Sequence, residues 1–142
     1  MVRIELVRDK IRRLRDTVLA LRDALPASHA GLSHRDALDL VSFRVYLGLQ
    51  EAIDLASHLI ADEGWGPAPS LRDHFTILAS HKVLEPGLAM TLAGGVKVRN
   101  LIGHAYADVD PAKLHEAATE LVGVLDAFCV AVLHYAEARN GR

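Results

Sequence analysis

The residues best suited to chemistry in this chain lie in one short segment. Arg99, Asn100, His104 and Tyr106 fall within eight consecutive positions. Arginine binds phosphate oxygens two at a time and keeps its charge, and histidine accepts and releases a proton near neutral pH. The segment therefore suits binding or cleavage of a phosphodiester.

Cleavage of RNA by this set needs no metal ion. His104 would remove the proton of a ribose 2′-hydroxyl, which attacks the adjacent phosphorus while Arg99 stabilises the developing negative charge. Asn100 would orient either the imidazole or the phosphate. We predict these three residues as catalytic, and we predict no cofactor. His74 and His81 share one helix face but lack further ligands in reach, so no metal site is predicted.

Elements outside the motif must complete such a site. In a helix running from Arg99 to Tyr106, Asn100 and His104 lie one turn apart, but Arg99 and His104 are roughly 140° apart around the axis. Gly103, one turn after Arg99, leaves a notch where a ligand could approach the backbone. We therefore expect a neighbouring helix or a second copy of the chain to complete the site.

The motif resembles that of a known family. Its sequence RNLIGHAY, followed by Val109 and Asp110, is similar to the Arg-Asn-x-x-x-His-x-Tyr motif of HepT-like proteins in the HEPN superfamily. Residues 50–61 and 71–78 also resemble this family, so the likeness extends from about residue 33 to the last helix.

The resemblance implies a function and partners. It implies an all-helical homodimer that acts as a ribonuclease toxin, with Arg99 and His104 as the catalytic pair and tRNA or mRNA as the substrate. It also implies a nucleotidyltransferase antitoxin that silences the toxin by attaching AMP to the motif tyrosine, here Tyr106.

Two alternatives remain open at this stage. Some relatives are known mainly as nucleotide-binding or partner-binding proteins, so the chain could be a non-catalytic subunit of a minimal nucleotidyltransferase. The chain could also be a dimeric helical interaction module whose motif is only a polar helix end.

Length and composition limit the architecture. The chain has 142 residues, of which 51% are apolar but only 5% aromatic, which favours helices packed on helices in one domain spanning residues 1–142. No uninterrupted apolar run approaches the length of a membrane span, and the charged N-terminus lacks a signal-peptide core. We expect a cytoplasmic protein with no membrane partner. Because the net charge is −2, any attraction for RNA must come from local patches.

Apolar spacings of three and four predict an all-α, antiparallel up-and-down bundle of four long helices and one short one. Four of the predicted helices span residues 4–25, 33–62, 70–83 and 111–138, and the remaining one runs from residue 88 into the motif. Ser33, Ser70 and Asp110 are predicted N-caps. The second helix is apolar on two faces, which predicts that one face is buried in the core and the other in a homodimer interface.

Polar residues of the second helix are candidates to support the motif. Arg44, Gln50, Glu51 and Asp54 could meet the helix that carries His104. The family resemblance suggests that Asp54 or Glu51 orients the imidazole, and a surface role for both is an equal alternative.

Three further features of the chain favour structural roles. The first helix carries a basic face interleaved with acids, which favours surface ion pairs, with an RNA-guiding patch as the alternative. Trp65 is predicted to cover the bundle end, and Cys129 to be a buried, unreactive thiol.

Overall fold

A computed structural model, which describes residues 1–141, shows five α-helices and no strand within that range. The helices are α1 Ile4–Ala24, α2 Arg35–Glu63, α3 Leu71–Ser80, α4 Pro86–His104 and α5 Pro111–Asn140. One-turn 3-10 helices follow α1 and α4, at His29–Leu32 and Tyr106–Asp108. The predicted all-α bundle of four long helices and one short one is confirmed.

Each long helix turns its apolar stripe towards one shared core. α1 packs on α2 and α5, α4 packs on α2 and α5, and the short α3 covers α4 and α2. The largest fully buried side chains include leucines from all five helices and two phenylalanines, Phe75 of α3 and Phe128 of α5. The two phenylalanine rings are in edge-to-face contact. This packing holds α2 directly against the motif helix α4.

Two of the three predicted caps are confirmed. The Ser70 hydroxyl accepts from the Asp73 backbone N–H at 3.4 Å, and the Asp110 carboxylate accepts from the Ala112 N–H at 3.0 Å. The prediction for Ser33 is wrong, since His34 caps α2 by accepting from a backbone N–H through Nδ1. Ser33 instead ends the preceding 3-10 helix, where its own N–H donates to a carbonyl.

The fourth helix extends into the motif, as predicted, but does not reach Tyr106. α4 stops at His104, and Ala105 departs from helical geometry with φ −144° and ψ 50°. Tyr106 then begins a 3-10 turn that leads to Asp110 and into α5. The change of direction carries the Tyr106 ring out of the axis of α4 and towards the start of α2.

α5 alone among the described helices is long and apolar enough, by length and composition, to cross a membrane. The core helix of a globular protein has the same composition, and one side of α5 is fully buried, including Leu125, Phe128 and Cys129. The prediction of a buried thiol is confirmed, since Cys129 lies in the core. This burial raises the pKa of Cys129 to about 11. At neutral pH this thiol stays protonated and unreactive.

Trp65 covers one end of the bundle, as predicted, where Met1 contacts Asp62 and Arg139 of α5 pairs with Glu63. Its indole stacks on the His81 imidazole with the ring centroids 3.9 Å apart, and it meets the Tyr135 ring edge-on. The contacts join the loop after α2 to α3 and α5.

Candidate active site

Arg99 is fixed between α4 and α2 by neutral hydrogen-bond acceptors. Its Nε and Nη2 donate to the Gln50 side-chain oxygen at 3.2 and 2.8 Å, and Nη2 also donates to the Tyr46 hydroxyl at 3.1 Å. Its Nη1 donates to the Asn100 side-chain oxygen at 3.0 Å. The guanidinium therefore has a defined position, half-buried against α2.

The charge of Arg99 is not cancelled by these contacts. Within residues 1–141 no carboxylate forms an ion pair with it. The Tyr46 ring lies 4.9 Å from the guanidinium carbon, in the geometry of a cation–π contact. A positive group that is held by neutral partners can still attract an anion such as phosphate.

Gly103 is exposed, as the predicted notch requires, and it also lies against the Tyr46 ring of α2. A Cβ at this position would lie 3.1 Å from Cε2 of Tyr46, which is closer than most side chains tolerate. The missing side chain therefore makes room for the Tyr46 ring. Gly103 allows close packing of α4 on α2 at the site.

His104 stands at the exposed end of the same helix. It is the last residue of α4, and its imidazole forms no hydrogen bond or ion pair with any other described residue. Asn100, one turn earlier, binds Arg99 and not His104. The two predicted roles of Asn100 were orientation of the imidazole or of the phosphate, and the structure shows its side chain bound to Arg99.

Tyr106 belongs to a second cluster with the first turns of α2. Its hydroxyl donates to the Asp39 carboxylate, which also receives the Nε of Arg35 at 3.0 Å. The Arg35 guanidinium carbon lies 5.1 Å from the centroid of the Tyr106 ring. Burial and the hydrogen bond to Asp39 raise the pKa of the Tyr106 phenol above its usual value, and the nearby Ser42 hydroxyl and Arg35 reduce this shift.

The two clusters border one open cleft of about 440 Å³ between α2 and the end of α4. Tyr46, which contacts Arg99, and Tyr106 with Asp39 both line it. Its remaining lining residues are Arg35, Ser42, Phe43, Ile102 and Gly103. The motif tyrosine and the partner of the motif arginine therefore share one surface.

Comparison with known proteins identifies the family. A family model of HepT-like ribonucleases matches residues 8–132. The chain belongs to the HepT-like ribonuclease family. The resemblance given by the motif is thus confirmed over most of the chain, although no curated protein sequence matches it.

Solved structures share the fold of this HepT-like chain at low sequence identity. A toxin–antitoxin structure with AMP-PNP has a TM-score of 0.83 at 18% identity, over 90% of this chain and 97% of the other. The tri-AMPylated HEPN toxin of Shewanella oneidensis, in complex with its MNT antitoxin, has a TM-score of 0.82 at 20% identity, over 93% and 98%. YutE of Bacillus subtilis, a cytosolic protein of unknown function, has a TM-score of 0.86 at 14% identity, over 99% and 95%.

The predicted support of His104 by Asp54 or Glu51 is wrong within the HepT-like chain. Asp54 pairs with Lys10 of α1 at 2.6 Å, and Glu51 accepts a hydrogen bond from Thr17, also on α1. Both positions are rotated around α2 away from the face that meets α4. Of the polar α2 residues considered, Gln50 alone contacts the motif.

Several other site residues could not be recognised from local sequence patterns. In the sequence, Tyr46 is one aromatic residue in a largely apolar helix. Arg35 and Asp39, one turn apart, have the spacing of an exposed ion pair. Their separation from the motif, 53 residues for Tyr46 and 67 for Asp39, hides the contacts. A polar residue recurring on the apolar α2 at positions 39, 42, 46 and 50 is the signal that could have revealed this face.

Proposed function

We propose that this HepT-like chain is a metal-independent endoribonuclease toxin. The observation that carries the proposal is Arg99, which is held by Gln50, Tyr46 and Asn100 without losing its charge. One turn further along α4, His104 is exposed and free to meet a substrate. A fixed cation and a free imidazole are the two groups that metal-free phosphodiester cleavage requires. Because Arg99 and His104 lie about 140° apart around α4, a second copy of the chain would bring an imidazole to the arginine.

The proposed reaction uses the 2′-hydroxyl of the RNA itself. His104 accepts the hydroxyl proton as the 2′-oxygen bonds to phosphorus, and the bond from phosphorus to the 5′-oxygen of the next nucleotide breaks. Arg99 binds the non-bridging oxygens as their charge grows. The leaving 5′-oxygen takes up a proton, which leaves a cyclic phosphate on one fragment and a 5′-hydroxyl on the other.

We propose that the working unit is a homodimer with the two motifs at one cleft. Exposed apolar side chains surround the site: Phe43 is 60% exposed, Leu40 42% and Leu101 40%. Burial of such residues favours association. Two copies would bring together two imidazoles, one to accept the proton and one to donate it. A mass measured in solution by light scattering, with Phe43→Asp as the disrupting variant, tests this arrangement.

We propose Tyr106 as the position at which a nucleotidyltransferase antitoxin attaches AMP. The Shewanella oneidensis toxin of the same fold is AMPylated and bound to an MNT antitoxin. Tyr106 lies on the cleft that is also lined by Tyr46, a hydrogen-bond partner of Arg99, so a phosphate added there would compete with RNA at this surface. Modification would thereby silence the toxin.

The test compares growth and RNA after induction of the wild-type chain, His104→Ala and His134→Ala. His134 is another exposed histidine, on α5. We expect wild type and His134→Ala to stop growth and to produce new RNA ends with 5′-hydroxyls, including in tRNA or mRNA. His104→Ala should reduce cleavage by about 10²-fold to 10⁴-fold. Equal cleavage by all three would contradict the proposal.

A nucleotide-binding subunit without ribonuclease activity is the second candidate. The cleft of about 440 Å³ lies in the range typical of small-molecule sites. Calorimetric titration with AMP and ATP distinguishes the two candidates. Tight nucleotide binding that depends on Arg99, together with intact RNA after induction, would favour this second function.

A further inference from the structure

The Tyr106 hydroxyl is already bonded to a group that can take its proton. It donates to Asp39 Oδ1, an atom that Arg35 Nε also approaches at 3.0 Å. The bond links the turn after α4 to the first turns of α2, over 67 positions of sequence. Such a contact depends on the tertiary fold, and it places one carboxylate at the oxygen that would be modified.

Modification of a phenol requires this proton to leave. An unperturbed tyrosine has a pKa near 10, so about one phenol in a thousand is ionised at pH 7. Burial and the hydrogen bond to Asp39 shift the Tyr106 pKa further upward, so its phenolate is scarcer still. The phenol must therefore lose its proton to a base during the attack itself.

We propose that Asp39 is the general base for transfer of a nucleotide to Tyr106. The inference rests on the proposed role of Tyr106 as the acceptor. As the phenolic oxygen bonds to the α-phosphorus of a nucleoside triphosphate, the Asp39 carboxylate accepts the proton. The bond from that phosphorus to the β-phosphate bridge breaks, and pyrophosphate leaves with the electron pair. The Asp39 side chain is 49% exposed, so it can then release the proton to water.

Arg35 positions this pair and moderates its charge. Its guanidinium contacts the Asp39 carboxylate and lies over the Tyr106 ring, which fixes the phenol against its base. A carboxylate alone would repel an incoming triphosphate, whereas the adjacent guanidinium offsets its charge. Asp39 can thus act as a base beside a polyanionic substrate.

The experiment measures transfer of AMP from ATP labelled in the α-phosphate, with the MNT-type nucleotidyltransferase from the same organism. The substrates are the wild-type chain, Tyr106→Phe, Asp39→Asn, Asp39→Glu and the matched control Asp36→Asn, which removes a charge from the same turns of α2. We expect Asp39→Asn to lower kcat by about 10²-fold to 10⁴-fold with little change in KM. Asp39→Glu should restore part of kcat, and Asp36→Asn should match wild type.

The outcomes separate this inference from the proposal on which it rests. Label on wild type but not on Tyr106→Phe, with the kcat loss in Asp39→Asn, supports both. Label on wild type with an undiminished kcat in Asp39→Asn overturns the role of Asp39 alone. A raised KM with unchanged kcat also overturns it, because Asp39 would then serve binding. No label on wild type overturns the acceptor role of Tyr106 first, and the role of Asp39 with it.

Discussion

The Arg99 guanidinium lies over the ring of Tyr46, 4.9 Å from its centroid, and also donates to the Tyr46 hydroxyl at 3.1 Å. One α2 side chain thus contacts the motif cation through both its face and its oxygen. Gly103 favours this contact, because the Cβ of a larger residue would lie 3.1 Å from Cε2 of the same ring. The position of the proposed phosphate-binding group is therefore set by the packing of α4 on α2.

Replacement of Arg99 by lysine tests the importance of the planar guanidinium. Lysine keeps the charge but cannot bind Gln50 and two phosphate oxygens in the same fixed plane. We expect RNA cleavage by Arg99→Lys to fall by about 10²-fold to 10³-fold. Arg72→Lys, an exposed position on α3, is the matched control and should cleave like wild type. The rate constant on a defined RNA measures both.

The two α2 residues that hold Arg99 should affect RNA cleavage to different degrees. Gln50 accepts two N–H groups from the charged guanidinium, and Tyr46 accepts one. Hydrogen bonds to charged groups contribute about 1.5–3 kcal/mol each. We expect Gln50→Leu to reduce cleavage more than Tyr46→Phe, which keeps the ring under the cation. The reverse order, measured as kcat on the same RNA, would contradict this account of the clamp.

Two glycines of α4 should respond in opposite ways to alanine. A Cβ at Gly94 meets nothing within 4 Å, so Gly94→Ala should raise the free energy of unfolding by up to about 1 kcal/mol through helix propensity. Gly103→Ala should displace Tyr46 and lower cleavage, because its Cβ would lie 3.1 Å from that ring. Denaturant unfolding and RNA cleavage of both variants check this. Full cleavage by Gly103→Ala would contradict the packing argument.

Glu51 should make stability depend on pH. Burial against α1 raises its pKa from 4.5, and the hydrogen bond from Thr17 reduces this shift without cancelling it. An acid with a raised pKa binds its proton more readily in the folded state, so its contribution to stability is fully present below pH 4.5 and is lost as the pH rises through the folded-state pKa. We expect Glu51→Gln to remove this pH dependence of the free energy of unfolding and to be more stable than wild type at pH 7.

The measurement for Glu51 is the free energy of unfolding in urea across pH 4 to 7. Glutamine retains an oxygen that can accept from Thr17, so the comparison isolates the charge. Glu120→Gln, at an exposed position on α5, is the control and should follow the wild-type curve. A wild-type slope that survives in Glu51→Gln would assign the pH dependence to other groups.

Local sequence patterns determined the helices and most of their ends. Apolar spacings of three and four marked all five helices, and Asp110 before Pro111 predicted the start of α5 because that pair caps a helix wherever it occurs. The motif itself, from Arg99 to Tyr106, was also visible in the sequence and identified the family. These features depend on neighbours within a few residues.

The tertiary structure alone decided which α2 residues serve the motif. Positions 50 and 51 differ by about 100° around the helix axis, so the rotation of α2 about its axis decides whether the Gln50 amide or the Glu51 carboxylate meets Arg99. Because α2 is apolar on two sides, its periodicity did not fix that rotation. Packing of α2 against α1 and α4 fixed that rotation. It also brought Asp39 to Tyr106, a contact that no local sequence pattern encodes.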